Sequence, residues 1–129
     1  MRKLMPILVL ATAAAIVGCR ATAPVQNVSG APIEASIPNP SLDAINKAII
    51  RAGSTLGWQM TPKKPGLIEA ELRLRTHMAR VNIHYDTKTY SITYADSHDL
   101  AYDGANIHPN YNGWVQNLDR AIRAQLSTL

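Results

Sequence analysis

The chain has 129 residues, 13 basic and 9 acidic, with a formal charge of +4, one cysteine and no phenylalanine. One cysteine excludes an internal disulfide framework, and the length suits one domain. Much of the basic excess sits in the first residues, so no strong argument for nucleic-acid binding survives.

Met1-Arg2-Lys3 is a basic start, and Leu4 to Val17 is an uncharged apolar run of fourteen residues. This is the layout of a secretory signal, and it falls short of the roughly 20 residues that a helix needs to span a bilayer. Ile16-Val17-Gly18-Cys19 resembles the lipobox of bacterial lipoproteins, where the chain is cut before the cysteine and lipid is added to it. The resemblance implies residues 1–18 as signal peptide and Cys19 as a lipidated terminus. Arg20, rather than Asp, follows the cysteine, which by the same resemblance implies the outer membrane, periplasmic side. Removal of residues 1–18 leaves 111 residues with 11 basic and 9 acidic, or +2. One acyl chain holds a protein weakly, whereas a diacylglycerol with a further N-acyl chain anchors it firmly.

Residues 19–40 are rich in Ala, Pro, Ser and Asn and read as a flexible tether with a reach of about 25 Å. Val25, Val28 and Ile33 could lay part of it along the domain. Ser41 is a helix cap with Asp43 in the first turn, and Leu42, Ile45, Ile49 and Ala52 recur at helical spacing. A helix is expected over 41–54, with Gly53 and Gly57 bracketing its exit.

The period then changes to two. Trp58 and Met60 begin a strand, and Pro62-Lys63-Lys64-Pro65-Gly66 reads as a turn. Ile68, Ala70, Leu72 and Leu74 alternate with Glu69, Glu71, Arg73 and Arg75; Val81, Ile83 and Tyr85 alternate with Arg80, Asn82 and His84. Tyr90, Ile92 and Tyr94 complete a fourth strand. A turn at 87–88 pairs Tyr85 with Tyr90, Ile83 with Ile92 and Val81 with Tyr94. A turn near 76–78 pairs Leu74 with Val81, Leu72 with Ile83 and Ala70 with Tyr85, sets Arg75 beside Arg80, and lets His84 face Glu71. Residues 96–107 read as a polar loop. A last helix follows, with Asn110 as cap, Tyr111, Trp114, Val115, Leu118, Ile122 and Leu126 on its apolar face, and Asn112 away from it. The expected fold is α+β in two layers: helix, four-stranded antiparallel meander, helix, with both helices on one face and residues 41–129 as the domain.

The blocks "AIIRAGSTLGW" (48–58), "PGLIEAELRLRTHMARVNIHYD" (65–86), "YSITYADSHDL" (90–100) and "IHPNYNGWVQNL" (107–118) occur in order. Together they resemble an uncharacterised family of small bacterial outer membrane lipoproteins. The resemblance implies an anchored α+β domain. It brings no catalytic residue, cofactor or ligand.

Four histidines, at 77, 84, 98 and 108, show no metal-ligand spacing. Ser97-His98-Asp99 holds the residue types of a hydrolase triad, but adjacent residues cannot converge as a triad does. Two surfaces remain as candidates for partner binding. One is the uncovered sheet face, led by Arg73, Arg75 and Arg80 with His84. The other is the loop–helix junction with His108, Asn110, Tyr111 and Asn112. The reading is a non-enzymatic, monomeric module of the cell envelope, attached to the membrane through its lipid. It needs no metal or cofactor, and its partner is an envelope protein or an anionic polymer. Two alternatives place a site at 96–114: a small enzyme using His108 with Asp103, or a carrier with an apolar pocket between sheet and helices.

Overall fold

The computed structural model describes residues 21–129. Cys19 and the leader before it lie outside the described residues. Strands β1 (Ala23–Pro24) and β2 (Val28–Pro32) precede helix α1 (Leu42–Thr55). Then come β3 (Gln59–Lys64), β4 (Leu67–Leu74), β5 (His77–Tyr85), β6 (Thr89–His98), β7 (Asn106–Ile107) and helix α2 (Pro109–Leu126). The sheet order is β2-β6-β5-β4-β3, all antiparallel, and β1 pairs with β7 separately.

The α+β architecture is as expected, with the meander intact and both helices over one face. Ile45, Ala48, Ile49 and Ala52 of α1 and Tyr111, Val115, Leu118, Ile122 and Leu126 of α2 join Ile68, Ala70, Val81, Ile83, Tyr90 and Ile92 in one core. A fully buried Ile or Leu contributes about 1.5–3 kcal/mol, so this layer supplies the main driving force for folding.

The stretch that reads as a tether is instead part of the fold. β2 adds a fifth strand to β6, with Val28 opposite Ile92 and Pro32 opposite Thr89. Gly30, at φ 60, lets the strand bulge between Val28 and Ala31, and its N–H donates to Ser91 Oγ at 2.9 Å. Ala31 is buried, and Val25, Val28 and Ile33 pack against the core. Those three apolar residues are the ones expected to lay the segment along the domain; the strand pairing itself is concealed, because it uses backbone groups that every residue carries.

The β5–β6 hairpin has the expected register, Tyr85↔Tyr90, Ile83↔Ile92 and Val81↔Tyr94. The β4–β5 hairpin does not. Its loop contracts to Arg75-Thr76, so Leu74 meets His77, Leu72 meets Ala79 and Ala70 meets Val81. Arg75 adopts φ 55 to close this tight turn and therefore does not stand beside Arg80, whose partner is Glu71. His84 lies opposite Leu67, not Glu71. The β3–β4 turn contracts likewise, with Pro62, Lys63 and Lys64 kept in β3. β6 runs on to His98, shortening the expected loop, and Ala95 is an extra residue between the pairs Val81↔Tyr94 and Arg80↔Asp96.

Helix α1 begins at Ser41, whose side chain accepts from Ala44 N, as expected. It ends in a Schellman motif: Trp58 N donates to Gly53 O at 3.0 Å and Gly57 N to Ser54 O at 3.1 Å, with Gly57 at φ 87. Gly53 also permits close approach of β3, since a Cβ there would stand 2.1 Å from Met60 Sδ. Gly53→Ala is therefore expected to destabilise by about 1–3 kcal/mol through overpacking, although Ala is the better helix former. Urea denaturation of Gly53→Ala, Met60→Ala and the double variant checks this. The double variant should be more stable than the two single losses add up to; simple additivity would contradict the contact.

Candidate functional site

On the uncovered sheet face, Arg80 projects from the middle of β5. Its guanidinium lies 2.7 Å from Glu71, 3.6 Å from Glu69 and 3.5 Å from Asp96. The extra residue Ala95 makes this possible by turning Asp96 to the same side as Arg80. Arg73 joins the cluster through Glu71 at 2.9 Å. The three arginines expected to lead the uncovered face thus separate. Arg73 and Arg80 share carboxylates, and Arg75 stands in the turn. His84 is exposed on this face, away from the ion pairs.

The hydrogen bond from Arg80 holds the Glu71 carboxyl below its ordinary value. Asp86 and Asp103 are also lowered, by backbone N–H groups of Thr89 and Lys88 and of Asn106 and Ala105 respectively. A carboxylate lowered in the folded state stabilises it above the unfolded pKa and loses that effect as pH falls through the folded pKa. Stability should therefore decline as pH drops below the ordinary values of 4.5 for Glu71 and 3.8 for the two aspartates. Urea midpoints at neutral pH and near pH 3 check this, and Glu71→Gln should shrink the difference. An unchanged difference would contradict the role given to Glu71.

At the loop–helix junction, His108 rather than Asn110 caps α2. Its Nδ1 accepts from Asn110 N at 3.1 Å, and Pro109 takes the first helical position. Pro109 makes this natural, because its fixed φ suits the first helical position, which places the cap at His108, two residues upstream of Asn110. Asn110 is exposed in that turn.

Asn112, expected to point away from the core, is buried. Its Nδ2 donates to Pro24 O at 3.0 Å, and its Oδ1 accepts from Gln26 N at 3.0 Å. Gln116 Nε2 adds a bond to Gln26 Oε1 at 3.0 Å. Asn112 is a clamp on the N-terminal segment. A polar residue among polar neighbours carries no sequence signal for such a role, because its partners are backbone atoms 86 and 88 residues away.

Tyr111 is fully buried, and its hydroxyl is the one buried side-chain polar atom without a hydrogen-bond partner among the described residues. Burial raises its pKa. Its ring meets Tyr94 edge-on at 5.7 Å, and Tyr94 stacks on the exposed Tyr102 at 4.1 Å. Three aromatic rings thus run from the core to the surface. Tyr90, by contrast, donates to Asp119 at 2.5 Å, and burial, followed by that bond, raises its pKa.

The polar groups of the alternative enzyme reading are taken up locally. Asp103 accepts from Ala105 N and Asn106 N at 2.9 and 2.7 Å, while His108 serves as the cap. Ser97 Oγ meets Tyr94 Oη at 2.7 Å, and Asp99 Oδ2 accepts from Thr76 Oγ1 at 2.5 Å. No group of three His, Cys, Asp or Glu residues among those described could hold a metal ion. Two open concavities lie at opposite ends of the sheet. One, of about 620 Å³, is lined by residues 94–102; the other, of about 470 Å³, lies between the start of α1 and the β3–β4 turn. Both are surface features, since the layer between helices and sheet is filled by the core side chains.

Compared with family models, curated proteins and solved structures, the chain gives no match.

Proposed function

We propose that the protein is a lipid-anchored, non-enzymatic module of the bacterial envelope. In this reading it is secreted, cut before Cys19, acylated there and held on the periplasmic face of the outer membrane. The observation that carries it is the single cysteine at the end of the apolar run, in the setting Ile16-Val17-Gly18-Cys19. No helix among the described residues is long and apolar enough to cross a membrane. Asp103 and His108, the pair of the alternative enzyme reading, are engaged in a turn and a helix cap, which supports a binding or supporting role over catalysis.

The geometry favours a protein partner over an anionic polymer. Arg80 is surrounded by three carboxylates, and a polyanion would have to displace them. A mixed-charge face with exposed Arg73 and His84 suits a partner that offers both signs. The sheet edges are poor docking strands: β3 carries Pro62, Lys63 and Lys64, and β2 carries a bulge and Pro32.

Metabolic labelling with an alkyne-tagged palmitate tests the anchor. The wild-type chain should take up label and partition with membranes, and Cys19→Ala should lose both. An unlabelled wild type, with Cys19→Ala still bound to membranes, would contradict the reading.

A further inference from the structure

Three elements bring apolar side chains to one end of the molecule. α1 stops beside Leu56, β4 stops at Leu74, and α2 carries Trp114 about 7.5 Å along its axis from Pro109. Leu56, Leu74 and Trp114 share a shallow groove whose other lining residues are Trp58, Leu72 and Asn117. Leu56 is 41% exposed and Leu74 44%, in contrast to the rest of the inward-facing positions of β4. Beside them, the Arg75-Thr76 turn and the loop after β6, with exposed Tyr102, complete the same end.

The chain also enters the fold here. β1 pairs Ala23 with Ile107, two residues before Pro109 opens α2. Val25 N donates to Ala105 O at 3.0 Å, and Asn112 grips Pro24 and Gln26. Only Arg20, Ala21 and Thr22 separate Cys19 from Ala23. Four residues of chain span at most about 14 Å, so Cys19 cannot stand far from this end. The slack that a free tether would provide is used up in pairing with β7 and β6.

We infer that this end of the domain is a membrane-seating surface. Resting on the reading of Cys19 as the lipid anchor, it follows that the acyl chains enter the bilayer at the same end of the domain as the Leu56–Leu74–Trp114 groove. The two leucines and the indole then lie at the level of the headgroups, where amphipathic rings are favoured. Arg75, exposed in the turn after β4, flanks them as a cation for anionic lipid. The occupant is the bilayer that holds the protein's own anchor, because the short reach from Cys19 brings that surface to this end of the domain. The opposite end, with the Thr87-Lys88 turn, then faces away from the membrane, and the mixed-charge sheet face stands clear of it at the side.

The test uses the full-length lipidated protein in vesicles of phosphatidylethanolamine and phosphatidylglycerol. A nitroxide is attached at Leu74→Cys in one preparation and Lys88→Cys in another; acylated Cys19 carries no free thiol. Both positions are exposed, and circular dichroism confirms folding of each variant. Leu56→Cys is the replacement site should Leu74→Cys fail that check. Collisional relaxation by oxygen and by a water-soluble nickel chelate then reports depth. The label at 74 should be relaxed more by oxygen and several-fold less by nickel than the label at 88. Equal, water-like behaviour at both sites in a vesicle-bound, acylated protein overturns the seating surface and leaves the anchor standing. A protein that carries no acyl group and does not bind vesicles overturns the anchor reading, and this inference with it.

Discussion

A buried side-chain amide must find partners for both of its ends, and Asn112 finds them on the backbone of Pro24 and Gln26. Leaving either group unpaired in that position costs about 1–3 kcal/mol, so the amide ties the first described residues to the last helix. Much of the architecture depends on this tie. It aligns β1 with β7, delivers β2 to the free side of β6 and completes a five-stranded sheet. β2 then shields β6, which would otherwise be an exposed edge. The chain continues across the far end, where Ser36 N and Ile37 N donate to Leu129 O, and enters α1 at Ser41. The N-terminal segment thus binds both ends of α2.

The second organising feature is the extra residue at Ala95. Without it, Asp96 would share a face with Tyr94 and turn a carboxylate toward the core side. With it, Asp96 reaches Arg80, while Ser97 turns inward to meet Tyr94. The uncovered face becomes a network in which Arg73 and Arg80 share the Glu71 carboxylate. Surface ion pairs of this kind add little stability individually, about 0–1 kcal/mol. Their greater effect is on recognition, since they leave a surface that offers both signs of charge.

The sequence is legible wherever side chains alternate against a core. Period two locates β4, β5 and β6, helical spacing locates α1 and α2, and Tyr85 and Tyr90 reveal the β5–β6 register. The β4–β5 register is not legible in the same way. The expected and observed pairings differ by four residues, and an even shift keeps every apolar side chain on the core face. Only the tight turn at Arg75, with its left-handed backbone, separates the two, and Arg is not a residue that announces φ 55. Val25, Val28 and Ile33 announce the docking of the N-terminal segment, as their packing on the core shows, but its pairing with β6 and β7, the His108 cap and the Asn112 clamp escape for a related reason. Each rests on bonds to backbone atoms, which leave no trace in residue type. Among the candidate site residues, the structure joins Arg73 to Arg80 through Glu71, leaves Arg75 and His84 apart, and assigns His108 and Asn112 structural tasks.

Docking of residues 23–33 determines how closely Cys19 is held to the domain, and amide hydrogen exchange measures it residue by residue. Three amides are decisive: Val25 N bonds to Ala105 O, Gln26 N to Asn112 Oδ1 and Ile33 N to Lys88 O, at 3.0, 3.0 and 2.8 Å. In the full-length protein at neutral pH, all three should exchange at least about 100-fold more slowly than an unstructured chain, as amides released only by local or global opening do. Exchange of all three at the unstructured rate, with β5 and β6 still protected, would show a free tether and contradict the docked segment on which the arrangement depends.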